Sequence, residues 1–154
     1  MERKAMFVSK ISRKDSKVVL KVHFGNDPVK KNMLYREKVA LEVLKGLAVP
    51  KRVFVSHDEV RKLVKEKQFS HIAMEWVSGK GCFGRKFSSS LSVALWAFTI
   101  EQLCAFRRRN ILYTDLKHNH LRVSDDVNSA YLIDFDGCVL VEPSGIYPTY
   151  ALSN

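Results

Sequence analysis

The 154-residue chain is poor in the residues that build cross-linked or unfolded proteins. Its three cysteines, Cys82, Cys104 and Cys138, are odd in number, widely spaced and form no C-x-x-C pair. That excludes a disulfide framework and a zinc knuckle, and leaves buried or half-buried thiols as the default. With 7 Gly and 4 Pro, neither a low-complexity linker nor a disordered tail is indicated. No internal repeat occurs. The longest apolar stretch, Leu91 to Cys104, contains Glu101 and Gln102 and is short for a bilayer span, and no apolar signal segment follows the charged N-terminus. The expectation is a soluble, cytoplasmic protein with no membrane partner. Also missing is a glycine-rich turn ahead of Lys17: no G-x-G occurs there to let backbone amides approach a phosphate.

What is present describes a packed domain, with 46% hydrophobic and 27% charged residues. The net charge of +10 is unevenly placed, since residues 1–70 hold 18 Lys/Arg against 8 Asp/Glu and residues 71–154 hold 8 of each. A basic first half steers a protein toward phosphate-rich partners such as RNA or other nucleic acid, and it equally describes the solvated faces of strands and helices.

Met6 to Ser12 and Lys17 to Phe24 are β-rich runs joined by polar Arg13-Lys14-Asp15-Ser16, the pattern of a hairpin. Gly25-Asn26-Asp27-Pro28 breaks the second run. From Asn32 to Leu47, Met33, Leu34, Val39, Leu41, Val43 and Leu44 recur at helical spacing, with Gly46 and Pro50 at the exit. Val53 to Val55 reads as a short strand, Asp58 to Lys67 as a loop or short exposed helix, and Ile72 to Val77 as a strand ended by Ser78-Gly79-Lys80-Gly81. Serines 88, 89 and 90 can cap a long helix from about Leu91 to Arg109 whose Leu91, Leu95, Phe98, Leu103 and Phe106 face the core. Trp96 and Phe98 are assigned to the same core packing. Leu121 to Val123 and Tyr131 to Phe135 are predicted strands around a turn at Ser124 to Ser129.

Four segments carry chemistry. Val18-Val19-Leu20-Lys21 ends an apolar strand on an ammonium, and Arg36-Glu37-Lys38 opens the amphipathic helix. His71 to Val77 leads a buried strand into Ser-Gly-Lys-Gly. Most specific, Tyr113-Thr114-Asp115-Leu116-Lys117 precedes Ile133-Asp134-Phe135-Asp136-Gly137, with two carboxylates 19 residues apart on successive hairpin elements. Two carboxylates brought together can serve as a general base and as a ligand of a divalent ion.

In this order the segments resemble the ATP-binding core of the protein-kinase superfamily, over roughly Met6 to Val141. The resemblance implies an α+β fold: a small antiparallel-sheet N-lobe over about residues 1–77 and a truncated helical C-lobe over about 78–154, in one domain. It implies ATP and Mg²⁺ or Mn²⁺ as cofactors, Asp115 as catalytic base, Lys117 at the transferred phosphate, Lys21 paired with Glu37 behind the nucleotide, Glu75 and Val77 at the adenine, and Asp134 on the metal. The second metal ligand, an Asn five residues after the catalytic Asp in the family, is His120 here, with Asn119 one place early. Imidazole is a poor Mg²⁺ ligand, so Asn119 takes the role, one metal suffices, or catalysis is lost.

The stretch from Arg36 to Val55 and the segment Met74 to Lys80 are most similar to the small kinase of the KEOPS tRNA-modification complex and to the RIO kinases. Asp134-Phe135-Asp136 is similar to sugar and lipopolysaccharide kinases. The expected function is an ATP-dependent phosphotransferase acting on Ser/Thr of a protein partner. The alternative is a pseudokinase-like binding module for a protein or nucleic acid. Ser144, Thr149 and Tyr150 are candidate phosphorylation sites.

Overall fold

The computed structural model describes residues 6–13, 16–65, 67–82, 85–142 and 145–146; Thr149, Tyr150 and Ser144 lie outside them. In chain order the described elements are β1 (Met6–Arg13), β2 (Ser16–Phe24), α1 (Pro28–Val43), β3 (Arg52–Val53), α2 (His57–Leu63), β4 (Phe69–Glu75), β5 (Lys80–Gly81), α3 (Ser89–Arg108), β6 (Ile111–Leu112), β7 (Leu121–Val123), β8 (Ala130–Leu132), β9 (Val139–Glu142) and β10 (Gly145–Ile146). The expected α+β class holds. An antiparallel sheet in the order β1-β2-β4-β3 is followed by the small sheets β5-β7-β8 and β10-β9-β6.

Strand β2 sets up the site through its period of two. Val18, Leu20 and Val22 are buried together with Val55, Val60, Val64, Phe69 and Ala73 under α2. Val19 and Lys21 therefore face the opposite side, where Val19 packs on the larger cluster that joins α1 to the second half of the chain. Lys21 pairs in register with Ile72 of β4.

Helix α1 begins four residues before the periodicity indicates. Asp27 caps it by accepting from the Val29 N–H at 2.9 Å, and Pro28 occupies its first turn, so the strand breaker is also the helix start. Leu34, Glu37 and Leu41 share its buried face. Helix α2 is a real element, fixed by a reciprocal capping box between Ser56 and Glu59. The strand expected over Val53 to Val55 is only Arg52–Val53, because the chain leaves the sheet to enter that cap. Strand β4 sits earlier than expected, at Phe69–Glu75. Strand β8 stops at Leu132, because Asp134 has φ of 69°, which no extended strand accommodates.

Ser88 caps α3, and Ser89 and Ser90 lie inside it. Its core face is shorter than predicted. Phe106 is fully buried and Leu103 packs against the core, but Leu91, Leu95 and Phe98 are only half-buried. Trp96 is 65% exposed, with Val93 at 68% and Ile100 at 55%, so core packing of Trp96 is corrected. At 20 residues and mean hydropathy 1.3, α3 is long and apolar enough by length and composition to cross a membrane, which corrects the length argument made from Leu91 to Cys104. Its C-terminal half is nevertheless packed into this domain.

The thiols divide by environment. Burial pushes the Cys138 thiol up to about 12, whereas Cys104 is exposed on α3. In native protein at pH 8 an alkylating reagent is expected to modify Cys104 and spare Cys138 until denaturant is added, as mass mapping of the labelled peptides would show. Equal labelling of both would contradict the packing of Cys138.

Candidate active site

Three separate elements converge on one ammonium. Lys21 Nζ, from β2, lies 2.8 Å from both carboxylate oxygens of Glu37 on α1 and 2.7 Å from Asp134 Oδ1 in the loop after β8. Burial works against the charge on Lys21, but Glu37 and Asp134 outweigh it and hold the ammonium above its ordinary pKa. Burial pushes the fully buried Glu37 carboxyl upward, against the pull of Lys21 and of the Phe135 N–H, which donates to Glu37 Oε1 at 3.2 Å. Glu37 thus ties α1 to β2 and to the loop that carries Asp134.

The loop between β6 and β7 supplies the second group of side chains. Lys117 Nζ donates to Asp115 Oδ2 at 2.7 Å, and that hydrogen bond holds the Asp115 carboxyl below the usual carboxylate range. Thr114 Oγ1 donates to the Gly137 carbonyl at 2.6 Å, which brings the Asp115 loop against the segment after Asp134. A Cβ added to Gly137 would lie 3.7 Å from Asp115 Cβ.

His120 closes the gap between the two carboxylates. Its Nδ1 lies 2.8 Å from the Asp115 backbone carbonyl, and its Nε2 lies 3.2 Å from Asp134 Oδ2. Asp115 and Asp134 therefore share one cleft with Lys21. Asp136 is beside them, its carboxyl pushed up by burial and then by Asp134.

Asn119 is exposed, and no hydrogen bond among the described residues joins it to Asp115 or Asp134. Its Cα packs against Gly81, where an added Cβ would come within 2.7 Å. His120, and not Asn119, is the neighbour of Asp134. Glu75 is the last residue of β4 and Val77 lies two residues beyond it. The Glu75 N–H donates to Lys51 O at 2.7 Å and the Trp76 N–H to Lys17 O at 2.8 Å, while no hydrogen bond among the described residues engages the Val77 N–H.

Sequence reasoning missed the supports of this site. Tyr113 donates to the Ile133 carbonyl at 2.6 Å and stacks edge-on against Phe135, with ring centroids 5.0 Å apart; Phe106 meets Phe135 at 5.5 Å. These three buried aromatics fix the loops that carry Asp115 and Asp134 to α3. Tyr113 lies two residues before Asp115, Phe135 directly after Asp134 and Phe106 on the predicted core face of α3, and only the fold shows that they touch. Arg122 was also missed: it donates to the Gly79 carbonyl at 2.7 Å and lies over the Trp76 ring, holding the turn after β4. Gly79 is needed there, because a side chain would collide with the Val123 carbonyl and φ is 100°.

The backbone is similar to that of the Cydia pomonella granulovirus kinase PK-1, with a TM-score of 0.68 over 91% of this chain at 13% sequence identity. The fold is that of a protein kinase. The chain spans about half of that structure, 52% of its length. No protein-family model and no curated protein matches the sequence. Within a kinase fold, β2, α1, the loop after β6 and the segment after β8 bring Lys21, Glu37, Asp115 and Asp134 to one cleft.

The donor set fits a metal–nucleotide complex. Carboxylate oxygens of Asp134 suit Mg²⁺ or Mn²⁺, and the ammonium groups of Lys21 and Lys117 suit phosphate. Among the described residues no group of three or more His, Cys, Asp or Glu side chains is arranged to enclose a metal.

Proposed function

We propose that the chain is an ATP-dependent phosphotransferase that acts on Ser/Thr hydroxyls of a protein partner, an atypical kinase in the manner of the KEOPS and RIO enzymes. The carrying observation is the cleft itself, in which Lys21 joins Glu37 to Asp134 and His120 spans from Asp134 to the Asp115 loop. A bound divalent ion would supply charge neutralisation at the phosphate oxygens. Asp134 would hold it, and Lys21, steadied by Glu37, would move onto the α- and β-phosphates. Asp115, ionised by its bond to Lys117, would orient the attacking hydroxyl and receive its proton, while Lys117 would balance charge on the transferred group.

Binding is tested by thermal unfolding with ATP, with and without Mg²⁺ or Mn²⁺. Saturation at 100 times Kd adds about 2.7 kcal/mol, a rise in Tm of about 5–10 °C for a domain of this size. No rise with either metal would favour a kinase-like binding module that uses no nucleotide.

A second expected outcome concerns Asp115. Its pKa is depressed by Lys117, so the carboxylate persists to lower pH than an ordinary Asp. Lys117→Met is expected to shift the Asp115 titration upward, toward the ordinary value of about 3.9, as followed by carboxyl ¹³C NMR. It should also reduce phosphoryl transfer. An unchanged titration would show that the hydrogen bond does not set the charge of Asp115.

A further inference from the structure

We infer that the C-terminal end of α2 and the loop after it form a binding site for the phosphodiester backbone of a nucleic acid. The site is independent of the phosphotransferase reading, because α2 packs on the face of the sheet opposite Lys21.

Arg61, Lys62, Lys65 and Lys67 are exposed and, with Val64, line a concavity of about 610 Å³. The packing of α2 dictates this arrangement. Val60 and Val64 are buried against Val18, Leu20 and Val22 of β2, so Arg61, Lys62 and Lys65 turn outward. Among the described residues none of the four cations forms an ion pair. Glu66, outside the described residues, is the one carboxylate in the stretch Arg61 to Lys67. The negative C-terminal end of α2 accounts for Arg61 and Lys62, but that field fades within the last turn, and Lys65 and Lys67 lie beyond the helix. Like charges gathered in one hollow repel one another, and an anion that enters relieves the repulsion.

The cationic lining continues past Lys67. Gln68 Oε1 accepts from Asn26 Nδ2 at 2.9 Å, and Asn26 Oδ1 accepts from Lys31 Nζ at 2.8 Å. This partner of Lys31 is a neutral amide and leaves the ammonium charge in place. Asp27, next along the chain, is engaged at the cap of α1 by the Val29 N–H.

The form of the hollow selects among polyanions. A bilayer surface is gripped by apolar side chains that enter it, yet Val64, the one apolar residue described in the lining, is only 8% exposed. Separate cations in a concavity suit instead a ridge that carries one charge at each repeat, which is the phosphodiester backbone. No aromatic side chain among the described residues lines the hollow, so the contact is to phosphates and ignores base sequence.

The test is fluorescence anisotropy with a labelled single-stranded RNA and with its DNA counterpart, over a series of salt concentrations. Both are expected to bind, with log K falling against log salt at a slope of about −2 to −3 for about three to four contacted phosphates. Lys65→Gln combined with Lys67→Gln should weaken binding about tenfold and flatten the slope by about 1.4. Lys86→Gln combined with Arg108→Gln removes the same charge from the second half of the chain and should bind as wild type does. Asp134→Asn should also retain RNA binding, which separates this site from the cleft. A thermal melt checks the fold of each variant. In the unaltered chain, bound RNA should protect Lys62, Lys65 and Lys67 from acetylation, as mapped by mass spectrometry. Equal weakening by the two charge-removing pairs, loss of binding in Asp134→Asn, or no protection of these lysines would overturn the inference. So would binding to phosphatidylcholine–phosphatidylserine vesicles or to polyglutamate that is as tight as binding to RNA.

Discussion

Asp134→Asn is expected to lower phosphoryl transfer by about 10³-fold or more while leaving the protein folded. The carboxylate is the one group that bridges Lys21 and His120, and in the proposed reaction it holds the ion that neutralises the phosphates. Such charge stabilisation is worth several kcal/mol, and each 1.36 kcal/mol is tenfold in rate. The substitution is mild in other respects. Asp134 sits at φ of 69°, a region that Asn tolerates as readily as Asp, and Lys21 keeps Glu37 as a partner. Transfer of labelled phosphate from ATP in Mg²⁺ and in Mn²⁺ measures the effect, with a thermal melt as the folding control. Equal turnover by wild type and variant would remove the phosphotransferase reading.

The largest loss of stability is expected from Phe106→Ala. Phe106 is fully buried and contacts the rings of Tyr113 and Phe135. Truncating a buried Phe costs about 3–5 kcal/mol, and at about 2–4 °C per kcal/mol for a domain of this size the Tm should fall by about 6–20 °C. The same substitution removes the wall against which the loops of Asp115 and Asp134 rest, so nucleotide binding should weaken in the molecules that remain folded. A fall of under 2 °C would mean that the aromatic cluster closes over the cavity and that α3 is not what anchors these loops.

Local chemistry made much of this legible beforehand. The hairpin of β1 and β2, the buried face of α1, and β4 follow from periodicity and turn residues, which act within a few neighbours along the chain, whereas the pairing of Asp115 with Asp134 is legible through the resemblance to kinases. Lys21 and Glu37 are legible only through the resemblance of their segments to those of kinases, since a cation at the end of an apolar strand and a carboxylate on a helix are by themselves ordinary. What escaped was set by tertiary contact. The exposure of Trp96 depends on which elements pack against α3, which helical spacing alone cannot show. Strand β8 was drawn too long because the sequence Tyr-Leu-Ile-Asp-Phe has strand composition, while the left-handed backbone at Asp134 overrides it. The choice between Asn119 and His120 turned on the packing of the Asn119 backbone against Gly81, a contact between residues 38 positions apart.

The charges around Lys21 also govern the order of events in the cleft. The carboxylates of Glu37, Asp115, Asp134 and Asp136 are gathered about the ammonium groups of Lys21 and Lys117, with the Arg36 guanidinium also acting on Asp136. An incoming polyphosphate therefore meets repulsion unless it brings its own cations, and Lys21 is already committed to two carboxylates. In the proposed reaction the metal complex of the nucleotide would be the form this cleft admits, because its positive charge would offset these carboxylates and compete with Lys21 for Asp134, leaving the ammonium to the phosphates.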